Sequence, residues 1–415
     1  MKVVFINKSD SVGGAAVVTM RLVRALRALN VDARMIVTDK RGVEEYVAMG
    51  AAPWRVKWAF LLERLRVFLS NGMSRATLFK VDCARHGLQL SRHPWVRNAD
   101  VVCLNWINQG VLSLKEIERI AALGKRMVWT MHDLWQATGV CHLPGECRNY
   151  AVKCRRCPLL GGMAGERDLS AATWARKIRM YEKTNIKFVA VSRWERSKAL
   201  ASELLRDKDI SVIPNGFPIS TRPPSAKPED GRVRIVMGAA RLDDPVKWIE
   251  VMVGATKLIK DTRPEVAENI EVVTYGDIRN PRILDGIAVV HRHLGPISGE
   301  REIAAVYASA HIVLSTSHYE TFGATLVEGM AQGCVAVSFD SGGPRDIISH
   351  LSTGYLAQYS ADYATAAASI AEGLLWAYAH IGDISPEYLH SEAYRKFSDM
   401  SVAKRYLTLI EQLSR

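Results

Sequence analysis

Two carboxylates eight residues apart, Glu320 and Glu328, stand out in the run Ser315-Thr316-Ser317-His318-Tyr319-Glu320-Thr321-Phe322-Gly323-Ala324-Thr325-Leu326-Val327-Glu328-Gly329-Met330. An apolar strand ends at Ser315, a loop carries Glu320, and a helix is expected from about Gly323. Its free backbone N–H groups and positive dipole end would attract a diphosphate. Glu328, one to two turns in, suits ribose hydroxyls, while Glu320 reaches the other end of the same ligand. The plain alternative is that Glu320 caps the helix and Glu328 is a solvated charge. Two cations weigh against it. Arg241 and Lys247 follow the next upstream strand within Gly238-Ala239-Ala240-Arg241-Leu242-Asp243-Asp244-Pro245-Val246-Lys247, and fixed cations beside a helix start favour a leaving group that gains negative charge.

Three further groupings carry chemistry. Gly13-Gly14 lies between the first strand and the first helix, so its amides could face a phosphate; it is otherwise a tight turn. In Trp129-Thr130-Met131-His132-Asp133-Leu134-Trp135, His132 sits just past a strand end, where it is either structural or a hydrogen-bond donor to a sugar hydroxyl. Cys141, Cys147, Cys154 and Cys157 crowd one loop, 141–157, and end in Cys-x2-Cys-Pro. That spacing allows a structural zinc site, unligated thiols or disulfides, and a metal held by four protein ligands would have no catalytic position.

The elements that must position these residues alternate. Short apolar strands are expected at 3–6, 34–37, 101–104, 127–130 and 188–191, then at 233–237, 270–274, 288–291, 312–315 and 335–339, with helices between, notably 15–29, 246–260 and 325–332. Five prolines between Pro214 and Pro228 mark a linker. Domains are thus expected at 1–218 and 219–384, with a helical segment 385–415 that packs back on the first domain through residues 402, 406, 409, 410 and 413.

At this point a resemblance can be named. The Glu-x7-Glu segment, Arg241 with Lys247, the Gly-Gly loop and the Pro-Asn-Gly linker resemble retaining GT-B glycosyltransferases of the family 4 type. The His-Asp-Leu-Trp segment and its Cys-rich sequel resemble bacterial capsule, exopolysaccharide and lipopolysaccharide transferases. The resemblance implies an α/β fold of two doubly wound Rossmann-like domains facing each other across a cleft. It implies sugar transfer from a nucleotide-sugar, without a catalytic metal or other cofactor and with retention. Glu328 corresponds to a ribose-binding carboxylate, Arg241 and Lys247 to a diphosphate clamp, and Phe322, Gly323, Ala324 and Thr325 to backbone contacts with phosphate and sugar. Glu320 and His132 correspond to residues beside the donor sugar. Trp248, Gly329 and Val335 depart from the pattern, which usually has Gly, Ala and Pro there. An epimerase or phosphorylase of the same fold remains an alternative.

Charge is uneven along the 415 residues, whose net charge is +12. Residues 1–218 hold 36 basic and 19 acidic side chains, residues 219–415 only 19 and 24. A basic chain with a cysteine cluster also fits nucleic-acid binding, but that reading explains neither the two doubly wound halves nor the paired carboxylates, so no nucleic acid is expected. The excess concentrates in residues 53–97. There Trp54, Trp58, Leu61, Leu62, Leu65, Phe68 and Leu69 form one helical stripe flanked by Arg55, Lys57, Arg64 and Arg66. Such a helix suits an anionic membrane surface or, alternatively, a core with a solvated basic face. The acceptor expected is a glycan, lipid-linked if the membrane reading holds. The short apolar run at 3–6 and the lack of any spanning segment point to a cytoplasmic protein, peripheral to the inner membrane face if at all.

Overall fold

The computed structural model describes residues 1–413; the last two residues of the expected segment 385–415 lie outside them. The chain divides into two compact units, Met1–Gly216 with the residues from Val402 on, and Phe217–Ser401.

The first unit holds strands β1 (Lys2–Ile6), β2 (Asp32–Val37), β3 (Val47–Met49), β4 (Val101–Leu104), β5 (Arg126–Met131), β6 (Ile186–Ala190) and β7 (Ile210–Val212). They form one parallel sheet in the order β3-β2-β1-β4-β5-β6-β7. The second unit holds β8 (Val233–Arg241), β9 (Ile270–Asp277), β10 (Val290–His293), β11 (Ile312–Ser315), β12 (Val335–Phe339) and β13 (Gly354–Ala357), parallel in the order β10-β9-β8-β11-β12-β13. Central strands such as Val101–Leu104 and Val335–Phe339 are apolar or small throughout and buried at every residue, as parallel strands covered on both faces must be. The strand order reverses once in each sheet, between β1 and β4 and between β8 and β11. Loops leaving the carboxyl ends of those strands are where α/β sheets bind ligands.

Strands β3, β7 and β13, all short and at sheet edges, went unmarked in the sequence, and β10 starts two residues later than expected. Strand β8 runs four residues longer, through a register irregularity between Gly238 and Arg241. Arg241 is therefore the last residue of a strand rather than part of the loop after it. Helix Asp399–Gln412 turns Val402, Ala403, Tyr406, Leu409 and Ile410 into the core beside Val3, Phe5, Val101 and Val128. The Tyr406 hydroxyl meets Thr130 Oγ1 at 3.0 Å. Each large apolar side chain so buried contributes about 1.5–3 kcal/mol.

Helix Pro53–Ser70 faces the opposite way from a core helix. It buries Ala59, Glu63, Arg64 and Val67 and leaves Trp54 61% and Trp58 58% exposed, with Leu61, Leu62, Leu65 and Leu69 also exposed. Its polar face is what the fold uses. Glu63 accepts from the amides of Cys83, Arg85 and His86, and Arg64 pairs with buried Asp82 and donates to the Val81 carbonyl at 3.1 Å. Arg64 is thus a buried structural cation, not one of the surface cations flanking the stripe.

Candidate active site

The reversal between β8 and β11 is built from two loops tied together by backbone contacts. Thr316 Oγ1 donates to the carbonyls of Lys247 (2.8 Å) and Trp248 (3.1 Å), and the His318 amide donates to Val246 O at 2.9 Å. Trp248 sits at φ 48°, ψ 50°, the left-handed region that favours glycine. A non-glycine residue there costs about 1–2 kcal/mol. Its indole lies stacked on His318, centroids 3.6 Å apart, and against Phe339, packing that offsets the strain. Helix Ile249–Thr262 consequently starts three residues later than the expected 246.

These ties bring three of the expected residues to one edge. Lys247 Nζ lies 3.0 Å from Glu320 Oε2. Arg241 pairs through a terminal guanidinium nitrogen with Asp244 at 3.1 Å, and its buried Nε lies 3.5 Å from Asp243 Oδ1, an ion-pair contact that is not a hydrogen bond. Burial works against ionisation of Asp243, but the amides of Asn280 and Arg279 on its Oδ2, and then Arg241, hold the carboxyl below its usual range.

Gly323, at φ 110° and ψ 53°, leads into helix Ala324–Ala331, and no side chain caps it. The N-cap residue therefore offers no side-chain acceptor to the first amides of that helix. Glu320 is not the cap: its carboxylate goes to Lys247, and its carbonyl accepts from the Gly343 amide at 2.8 Å. Phe322 is stacked on Phe217 and set edge-on to Phe397, so packing takes up its side chain. Ala324 is exposed and Thr325 half-buried. Half-buried Glu328 lies close enough to the hydrogen-bonded phenols of Tyr275 and Tyr307 to add to the upward shift that burial gives both. Gly329 has a packing reason: a Cβ there would lie 2.5 Å from Cβ of Val313 on β11, too close for alanine.

In the first unit, Gly13, Gly14 and His132 line one cavity of about 510 Å³ with Lys8, Asp39, Trp106, Gln109 and Asp133. Gly13 (φ 91°) begins helix Gly14–Ala28, again with no side-chain cap. Desolvation pulls the His132 imidazole down to about 4, against a smaller opposing pull from Asp133, so the ring is neutral near pH 7. Its Nε2 lies 3.1 Å from Asn105 Oδ1, an oxygen that can only accept. Nε2 therefore carries the proton and Nδ1 is the ring's acceptor. With Nε2 engaged by Asn105, the ring nitrogen left to meet a sugar hydroxyl is the acceptor Nδ1.

Several site residues escaped the sequence reading. Asp133 gathers three donors: Trp106 Nε1 at 3.0 Å, the Trp135 amide at 2.8 Å and His142 Nδ1 at 2.9 Å. Burial opposes its ionisation, but His142 and these bonds keep the carboxyl below its usual range. Trp106 and His142 stack with centroids 5.4 Å apart. A usable signal existed, since Asn105-Trp106 follows β4 just as His132-Asp133 follows β5. His142 had none, because only folding of the cysteine loop brings it back to Asp133.

The four clustered cysteines are all unpaired thiols, and all four line one small cavity in the first unit. Among the described residues no three His, Cys, Asp or Glu side chains stand as a preformed metal chelate.

Two family models match the chain. Glycosyltransferase Family 4 matches residues 12–221, just over half the sequence, and Glycosyl transferases group 1 matches residues 221–375. A probable sucrose-phosphate synthase of Thermosipho melanesiensis is 32% identical over 124 residues, 28% of this chain and 26% of that one. A phosphatidyl-myo-inositol mannosyltransferase of Mycobacterium tuberculosis is 28% identical over 188 residues, 44% of this chain and 47% of that one. The chain thus spans less than half the length of these curated relatives. Among solved structures, Anabaena HepE in complex with UDP and glucose shares 14% identity at a TM-score of 0.60, covering 99% of this chain and 100% of that one. The lipopolysaccharide outer core galactosyltransferase WaaB shares 16% at 0.61, covering 99% of each. At such identities the likeness speaks for the fold alone, a two-domain α/β GT-B fold.

Proposed function

The chain belongs to glycosyltransferase family 4, and from that premise we propose that it transfers a sugar, with retention, from a nucleoside diphosphate sugar to a glycan acceptor. The observation that carries this reading is the edge of the second unit. An arginine whose Nε meets only a long carboxylate contact ends β8, and a lysine on a carboxylate and a helix start led by glycine lie on the loops beside the same strand-order reversal. Such a group of donors fits a diphosphate, whose charge grows as its bond to the anomeric carbon breaks. Stabilising that leaving group is the main catalytic contribution assigned to Arg241 and Lys247. The leaving phosphate oxygen then takes the acceptor hydroxyl's proton on the same face, which returns the original anomeric configuration. Glu328 is assigned to the ribose, Glu320 to the donor sugar, and the amides of Gly323, Ala324 and Thr325 to phosphate and sugar. In the first unit, the amides of Gly13 and Gly14 are assigned to donor phosphate and neutral His132 to a sugar hydroxyl, which it receives at Nδ1. HepE, solved with UDP and glucose, supports a nucleotide-sugar donor.

A thermal-shift screen against UDP, GDP, ADP and their sugars tests the donor class. Proton NMR of the product reads the anomeric configuration. Retained configuration with one preferred nucleotide supports the reading, and no stabilisation by any of them contradicts it.

A second reading concerns the acceptor. The outward stripe of helix Pro53–Ser70, with Arg55, Lys57 and Arg66 on the same helix, fits the headgroup layer of an anionic bilayer. We assign to it peripheral contact with the inner membrane face and a lipid-linked glycan acceptor of bacterial surface polysaccharide synthesis. Among the described residues no helix is long and apolar enough to cross a membrane. Flotation with anionic vesicles tests the contact.

A further inference from the structure

We propose that Cys141, Cys147, Cys154 and Cys157 bind one zinc ion, a structural site that fixes the long loop beside the first unit's cavity. Residues 132–168 join β5 to helix Leu169–Glu182 with nothing regular but short 3-10 turns at Trp135–Ala137, Asn149–Ala151 and Pro158–Met163. A structureless connection longer than about 15 residues needs some other source of order. The four cysteines supply the means, because they alone of the loop's metal-ligating side chains line a cavity of about 20 Å³. That is room for roughly one water-sized occupant. Its lining offers a water few oxygen or nitrogen partners, whereas sulfur is zinc's preferred ligand.

Burial keeps these sulfurs as thiols in the ion's absence, pushing Cys141 and Cys154 up to about 12 and Cys157 upward, while backbone donors oppose that shift. The Gly139 amide donates to Cys154 Sγ at 3.1 Å, and the amides of Leu159 and Leu160 work against the upward shift that burial gives the Cys157 thiol. Backbone N–H groups aimed at ligating sulfurs are the second layer that tunes and orients a metal site. Four thiols release four protons to solvent on binding Zn²⁺, leaving a centre of net charge −2. A cation and a buried amine, which desolvation pulls down to about 7, stand near it. Arg155 lines the cavity, and Lys177 is fully buried without a carboxylate partner among the described residues, its Nζ donating to the Trp135 and Thr138 carbonyls and acting electrostatically on Cys154. Cys147 is the only half-exposed member; among the described residues no three of the four sulfurs yet stand as a chelate, so binding would draw the buried members together as well as Cys147.

The site would act on the cavity through one residue. Cys141 is followed by His142, which bonds Asp133 and stacks on Trp106. Holding Cys141 therefore holds the cavity wall.

The test is elemental analysis of the full-length protein purified without chelator, with cobalt(II) exchanged for the metal in a parallel sample. The expected result is about one zinc per chain, the intense visible bands of tetrahedral cobalt thiolate, and loss of most of the zinc in Cys147→Ser. Cys147→Ser is chosen because its half-exposed position tolerates a polar replacement, and the wild-type zinc content and cobalt spectrum decide even if the variant fails to fold. Zinc below about a tenth per chain after incubation with zinc salt and desalting overturns the proposal. So does zinc retained undiminished in the variant, or a disulfide found among the four cysteines.

Discussion

The two units present the same architectural opportunity and fill it differently. Each has a parallel sheet whose order reverses once, and each starts a helix at a glycine of positive φ beside the reversal, Gly13 in one and Gly323 in the other. In the second unit that edge carries fixed charges in ion pairs, Lys247 with Glu320 and Arg241 with Asp243 and Asp244. In the first it carries a neutral histidine, a tryptophan and a carboxylate already supplied with three donors. Topology supplies the place and exposed backbone amides; side chains decide whether the place handles phosphate charge or hydroxyl groups. The basic excess of the first unit is consequently no guide to the chemistry, since the cations assigned to the reaction lie in the unit of net negative charge.

The contrast can be broken most directly at Arg241. Arg241→Ala should lower kcat by about 10²–10³-fold, the usual cost of removing one donor to a developing oxyanion, and steady-state kinetics with the preferred donor checks this. On the neutral side, His132 makes an acid-stability prediction. Its folded value of about 4 lies below the ordinary 6.5, so the unfolded chain binds the extra proton between those values. Stability is full above pH 6.5 and falls as pH drops toward 4, by about 3 kcal/mol in total. Urea unfolding across that window should show a shallower acid loss in His132→Gln than in wild type. Glu328→Ala should weaken nucleoside diphosphate binding by about 10-fold or somewhat more, the worth of a charge-assisted hydrogen bond, with little change in thermal stability. Smallest of all, Trp54→Ser with Trp58→Ser should reduce vesicle flotation several-fold while leaving transfer to a soluble acceptor unchanged, since both side chains are exposed.

Much of the frame was legible because buried parallel strands write themselves as short apolar runs; all the central ones fall at or within a few residues of their expected places. The edge strands β3, β7 and β13 have three or four residues and lack that signature. Helix Pro53–Ser70 shows a deeper limit. Its stripe of Trp and Leu reads equally as core-facing or outward, and only Glu63 and Arg64, engaged by the segment around Val81–His86, decide the orientation. At the site, Glu320 and Lys247 were legible as types, but their pairing needed the Thr316 and His318 backbone ties. Asp133 was present in a quoted motif, yet its three donors come from residues 106, 135 and 142.

The central claim is that phosphate recognition belongs chiefly to the second unit's charged edge. Isothermal titration with the nucleoside diphosphate selected by thermal shift, against wild type, Arg241→Ala and His132→Gln, tests it in one experiment. The account requires at least about a 10-fold weaker Kd for Arg241→Ala and a wild-type Kd for His132→Gln. Unchanged binding by Arg241→Ala, with the loss appearing in His132→Gln instead, would contradict it.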